Sequence, residues 1–237
     1  MNTRSKMIAL LTSAVGLVSA ANADLVDMRY VGRGQGRTVR ITTPSSSFNV
    51  FAGQLRHVFS NGTGLGAQLS GEMITFCTDL TQEVTSSTRT YTILPLESAP
   101  VGGAMGSDKA RAIASLYDYA LGVQLEQGAS ADLACAFQLA VWEIVADYSW
   151  SLGGSSLSMA GGSFRATRTD GSPLWSGVTN YLNAFFFNTG NASSSTAGLA
   201  GVTSGSYQDQ IVTVPAPGAA ALAGLGMMLC IKRRRTA

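Results

Sequence analysis

Both ends of this 237-residue chain carry apolar segments of kinds that take them out of the folding problem. Residues 1–23 hold Arg4 and Lys6, the apolar stretch Met7 to Val18, then small residues ending Ala21-Asn22-Ala23. That is the basic, apolar, A-x-A order of a secretory signal, with cleavage expected between Ala23 and Asp24. At the other end Val214-Pro215-Ala216-Pro217-Gly218 leads into an apolar run to Ile231, then Lys232-Arg233-Arg234-Arg235. As a helix, Gly218 to Ile231 reaches only about 21 Å, short of the roughly 30 Å hydrocarbon core. Pro215 and Pro217 lack the amide donors that an upstream extension needs. The cationic end belongs on the cytoplasmic side. The expected organisation is a signal peptide at 1–23, an extracytoplasmic domain at 24–213, and a tail at 214–237. Before processing, the tail helix holds the protein at the membrane.

Removing Arg4, Lys6, Lys232 and Arg233 to Arg235 from the 16 basic residues leaves 10 against 14 acidic ones. The exported part is therefore acidic, and neither a nucleic-acid footprint nor a basic membrane patch survives in it. Its roughly 190 residues suffice for one domain with a core. Low charge at 13%, 27 glycines and recurrent Ser/Thr clusters favour loop-rich extracellular β structure. His57 is the only histidine, which excludes a multi-histidine metal site; no metal or other cofactor is expected. It lies in the alternating stretch Gln54 to Phe59 and reads as a surface strand residue. Lys109 is the only lysine between residues 24 and 214, so an internal Lys–Asn crosslink would have to use it. No paired-carboxylate or Ser-His-Asp pattern points to a turnover enzyme.

Along the exported region, residues 25–60 read as strands, with Gly32-Arg-Gly-Gln-Gly36 as a turn cluster. Met73–Leu80 and Arg89–Leu96 are further strand candidates. The period then becomes helical: Ser107 serves as N-cap, and Ile113, Leu116, Tyr117 and Ala120 share a face up to Gly122. A second helix is expected from about Ala131 to Tyr148, a strand near 157–166, and a short helix around 174–187. Residues 188–198 read as loop and Gln208–Val214 as a last strand. The class is α+β: an antiparallel sandwich or barrel-like domain with an insert of two to three helices.

The second helix is too apolar to sit on a surface. Leu133, Phe137, Val141, Ile144 and Tyr148 form one stripe; Cys135, Gln138, Trp142 and Val145 lie on the adjacent arc. Asp132, Glu143 and Asp147 share the narrow remainder. Gln138 therefore faces protein and needs a partner. Cys135 stands on the same arc, so a strand that brings Cys77 to one brings it to the other. A Cys77–Cys135 disulfide is thus one outcome in an oxidising compartment, and two reduced, buried cysteines are another.

Two resemblances attach to these residues. Val214-Pro215-Ala216-Pro217-Gly218, the Gly/Ala/Leu run and Arg233, Arg234 and Arg235 resemble the PEP-CTERM sorting signal of bacteria with an outer membrane. Ala216 stands where that family usually has Glu. The resemblance implies an exosortase-like enzyme that removes the tail and passes the protein to the cell surface or an exopolysaccharide matrix. Phe76-Cys77-Thr-Asp79 followed by Phe137-Gln138-Leu-Ala-Val-Trp142 resembles the thioester domains of bacterial surface adhesins, over about residues 40–215. It implies an internal thioester between Cys77 and Gln138 for covalent attachment to a surface partner. A thioester needs a water-poor enclosure, for which Phe76, Phe137 and Trp142 are the candidates, and proton transfer, for which Asp79 and Glu143 are. The alternative is a non-covalent structural or carbohydrate-binding module stapled by Cys77–Cys135, with Trp150, Phe164 and Trp175 as stacking candidates.

Overall fold

The computed structural model describes residues 24–122, 124–126, 128–189 and 194–214. The expected signal segment and all of the expected tail except Val214 lie outside them. Among the described residues no helix is long and apolar enough to cross a membrane. The class is α+β, as expected.

Seven strands form one antiparallel sheet: β1 (Leu25–Thr42), β2 (Ser47–Ser60), β3 (Gly71–Cys77), β4 (Arg89–Pro95), β5 (Arg165–Thr167), β6 (Leu199–Thr203) and β7 (Gln210–Thr213). The order β2-β3-β7-β6-β4-β1 closes on itself because β1 also pairs β2 along most of its length. Six strands thus make a small barrel, and β5 adds to the far end of β1. Closure removes the free edges that an open sheet would expose. Between β4 and β6 run three helices, α1 (Gly106–Gly122), α2 (Ala131–Asp147) and α3 (Ser176–Thr189).

The two-residue period of each strand divides its side chains between two cores. Val26, Met28, Phe59, Tyr91, Ile93, Val202 and Val212 fill the barrel. Val39, Ile41, Phe76 and Ile211 instead face the helices and join a larger core with Ile113, Leu116, Phe137, Val141, Ile144 and Phe185. β1 serves both because register shifts between Tyr30 and Gly32, and between Arg33 and Gly36, re-aim its second half. The expected turn at Gly32–Gly36 is therefore strand. Gly36 lies opposite Gly53, and a Cβ on Gly36 would fall 2.4 Å from the Ala52 carbonyl oxygen. The glycines are there because two strand backbones approach closely, not because the chain reverses.

α2 starts where Ser130 accepts the Leu133 amide at 3.1 Å. At its other end the Lys109 ammonium donates to the Val145 carbonyl at 2.6 Å, placing a cation on the helix C-terminus. Every residue from Leu133 to Ile144 is buried. Three further expectations are corrected. Residues 157–164 form turns rather than a strand, leaving only the short β5. β6 occupies a stretch in which no strand was expected. His57 is 1% exposed: it shares the inward face of β2 with Phe59. Phe164 is core, Trp150 is half-exposed beneath the Arg111 guanidinium, and Trp175 lies under Arg37 and Arg168.

Candidate functional site

β3 pairs β2 only as far as Thr75, and on its other edge β7 pairs Phe76 and Cys77. Where β2 diverges, the Cys77 amide and carbonyl lose their ladder partners, and Gln138 on α2 takes their place. The Cys77 N–H donates to Gln138 Oε1 at 2.9 Å, and Gln138 Nε2 donates to the Cys77 carbonyl at 2.8 Å. One carboxamide thus ends the strand as a neighbouring strand would. Both residues are 1% exposed, so these bonds form away from water. They press the amide carbon of Gln138 against the backbone that carries the Cys77 thiol.

The thiol donates to the Asp79 carbonyl at 2.5 Å. Burial holds its pKa well above the ordinary thiol value, and the carboxylates of Asp79 and Asp209 push the same way. The resting sulfur is therefore protonated. Asp79 stands beside it, but its carboxylate organises the following loop. Oδ1 accepts the Thr81 and Gln82 amides at 2.8 and 2.9 Å, and Oδ2 accepts the Asp209 amide at 3.1 Å.

Cys77, Gln138 and Trp142 line a cleft of about 520 Å³, walled by the β1–β2 hairpin and the loop at 80–84. Tyr30, Phe48 and Phe51 supply aromatic surface, and Arg33 and Glu83 bring one charge of each sign. Phe76 and Phe137 back the site instead of lining it. Their rings are 4.5 Å apart, and Tyr117 packs edge-on against both. Glu143 is a correction: its carboxylate points away from the pair and accepts the Ser158 amide at 2.7 Å. Burial pushes its pKa up to about 8, and the neighbouring Asp147 adds to the rise.

Cys135 and Cys77 are both free thiols, and no disulfide joins them. Their surroundings differ. Cys135 sits near Arg37 and Asp132, and burial pushes its pKa up to about 12. Lys109 is committed to the end of α2, and among the described residues no side-chain bond to an asparagine involves it.

One feature beside the site escaped sequence reasoning. Gln210, paired with Cys77 across β3 and β7, accepts from the Thr75 hydroxyl at 2.9 Å. Thr75 Oγ1 lies 2.9 Å from His57 Nδ1, and since it donates to Gln210 it accepts from the imidazole N–H. Gln210 also donates to the Gln208 side chain at 3.1 Å, and Gln208 lines the cleft. A polar chain, buried from His57 to Gln210, therefore runs from inside the barrel to the cleft that Cys77 and Gln138 line. The alternation that puts Thr75 and Cys77 on one face of β3 is the one trace of it in the sequence.

Comparison of the chain with protein-family models, with curated proteins and with solved structures finds no match.

Proposed function

We propose that this is an exported, adhesin-like surface protein that forms an internal thioester between Cys77 and Gln138 and uses it to attach covalently to a partner. The observation that carries the reading is the two-point hydrogen bonding of the Gln138 carboxamide to the Cys77 backbone. The Cys77 N–H polarises the amide carbonyl and is placed to hold the oxyanion that forms on attack. Cys77 Sγ bonds to the side-chain carbonyl carbon of Gln138, the C–N bond breaks, and the thiol proton leaves with the nitrogen as ammonia. A partner amine or hydroxyl that later reaches this carbon through the cleft takes over the acyl group and returns the proton to Cys77. The acyl group is spent in a single use, so the protein acts as a covalent binder, not as a turnover catalyst.

The terminal segments support a route for it: export by residues 1–23, transient membrane anchorage by the apolar run of the 214–237 tail, and processing by an exosortase-like enzyme. The final site is the cell surface or an exopolysaccharide matrix. The domain's geometry suits this. Asp24 and Val214 line one cavity, so both ends of the domain meet there, while Gln210 and Cys77 sit at the other end of β7, about 13 Å away at strand rise. The Cys77–Gln138 pair thus lies at the opposite end of β7 from Val214.

The expected mass of the natively processed protein is one ammonia short of the mass calculated for the processed chain, and methylamine adds to the Gln138 side chain. An unmodified Gln138 peptide from freshly purified protein would exclude the thioester and leave a non-covalent module.

A further inference from the structure

Trp142 is 3% exposed, and its indole Nε1 has no hydrogen-bond partner among the described residues. A buried N–H left unpaired costs about 1–3 kcal/mol, so an orphan of this kind calls for a reason. Its position supplies one. Trp142 lies one helical turn beyond Gln138 on the same arc of α2, so the amide and the indole reach the end of β3 together. The indole stands beside the Cys77 sulfur and lines the same cleft, and its ring is braced by Phe164 with centroids 6.2 Å apart. A neutral thiol is a weak acceptor, whereas a thiolate is a strong one. The charged groups that face this sulfur are Asp79 and Asp209, and both oppose negative charge on it.

We propose that the Trp142 indole N–H is the donor that holds the Cys77 sulfur while it carries negative charge, during formation and opening of the bond to Gln138. The proposal rests on the thioester reading for its catalytic consequence but not for its chemistry. In attack, the thiol proton passes to the departing nitrogen as the S–C bond forms, and the indole N–H satisfies the sulfur in between. In opening, the incoming nucleophile displaces Cys77 as a thiolate, which the same N–H accepts until a proton arrives. In the resting protein the donor has only the neutral thiol beside it, a weak acceptor. That is the price of having it in place beforehand.

The test uses the full-length chain with Trp142→Phe, and with 3-benzothienylalanine at position 142, which replaces the N–H by sulfur at nearly constant shape. Two rates are read by peptide mass spectrometry: opening by methylamine at Gln138, and alkylation of the freed Cys77 by iodoacetamide across pH. Both replacements are expected to slow opening about tenfold or more and to move the alkylation profile to higher pH. The benzothienyl protein should melt no lower than the wild type. Wild-type opening and an unshifted profile in that protein would overturn the proposal. If wild-type Gln138 proves unmodified, the thioester reading fails by itself; the alkylation profile then decides the donor role alone, a shift keeping it and no shift removing it.

Discussion

The barrel and the helical layer bury different kinds of group, and the contrast locates the site. Inside the barrel a small apolar core shares its space with the polar chain His57–Thr75–Gln210, every member of which finds a partner. The helical layer is larger and almost wholly apolar around α2, and its one buried carboxyl, Glu143, has Oε1 paired and Oε2 without a partner among the described residues. A buried polar group is cheap when satisfied and expensive when not. Cys77 and Gln138 lie on the seam, where a strand of the first region is completed by a side chain of the second. The proposed thioester at that point would draw on the order of the barrel and the dryness of the helices.

Cutting the seam should have the largest effect. Gln138→Leu keeps volume but leaves the Cys77 N–H and carbonyl unpaired in a buried place, an expected loss of about 2–4 kcal/mol. Urea unfolding of the two proteins measures it. A loss below about 0.5 kcal/mol would mean that water or a backbone shift replaces the carboxamide, and that the two regions are joined by packing alone.

The barrel should show its character in acid. Burial alone pushes the His57 pKa down to about 4, below the ordinary 6.5 of the unfolded chain. The native state thus binds fewer protons than the unfolded one between those values. Its stabilising contribution is complete above pH 6.5 and is lost as pH falls towards 4, by up to about 3 kcal/mol. Thermal melts from pH 7 to pH 4 should show this decline, and His57→Gln should flatten it. An equal decline in that variant would assign the acid sensitivity to carboxylates instead.

What was legible in the sequence follows the same division. α2 could be read nearly to its ends because its signal is local: a run too apolar for any surface. The juxtaposition of Cys77 and Gln138 is separated by 61 residues and was visible only through short motifs that resemble a family. The barrel was harder. Closing a ring of strands depends on pairings such as β1 with β4 and β3 with β7, which no local pattern encodes. Gly32 to Gly36 looked like a turn because the sequence shows the missing side chains, not the opposing backbone at Gly53 that requires Gly36 to have none. His57 shares its parity with Leu55 and Phe59, and weighting that alternation above its polarity would have placed it inside. Glu143 fell on the acidic arc of its helix as expected, but the loop that covers this arc, through Ser158 and Phe164, is set by tertiary packing.

That loop gives the predicted effect of opposite sign. The Glu143 pKa stands at about 8 in the folded protein, pushed up chiefly by burial, against an ordinary value of 4.5. The native state therefore binds the proton more tightly than the unfolded chain, and stability from this group is complete below pH 4.5 and lost as pH rises towards 8. Glu143→Gln retains an oxygen for the Ser158 amide and removes the ionisation. It should raise the melting temperature at pH 8 by several degrees relative to the wild type and change little at pH 4.5. Because Phe164, held to Asp147 through its amide, leans on Trp142, loosening of the loop at high pH should also expose the indole. Tryptophan fluorescence of the wild type should then shift to the red between pH 7 and 9, and the shift should be absent in Glu143→Gln. A matching shift in both proteins would separate the loop from the ionisation of Glu143 and leave Trp142 braced by packing that pH does not touch.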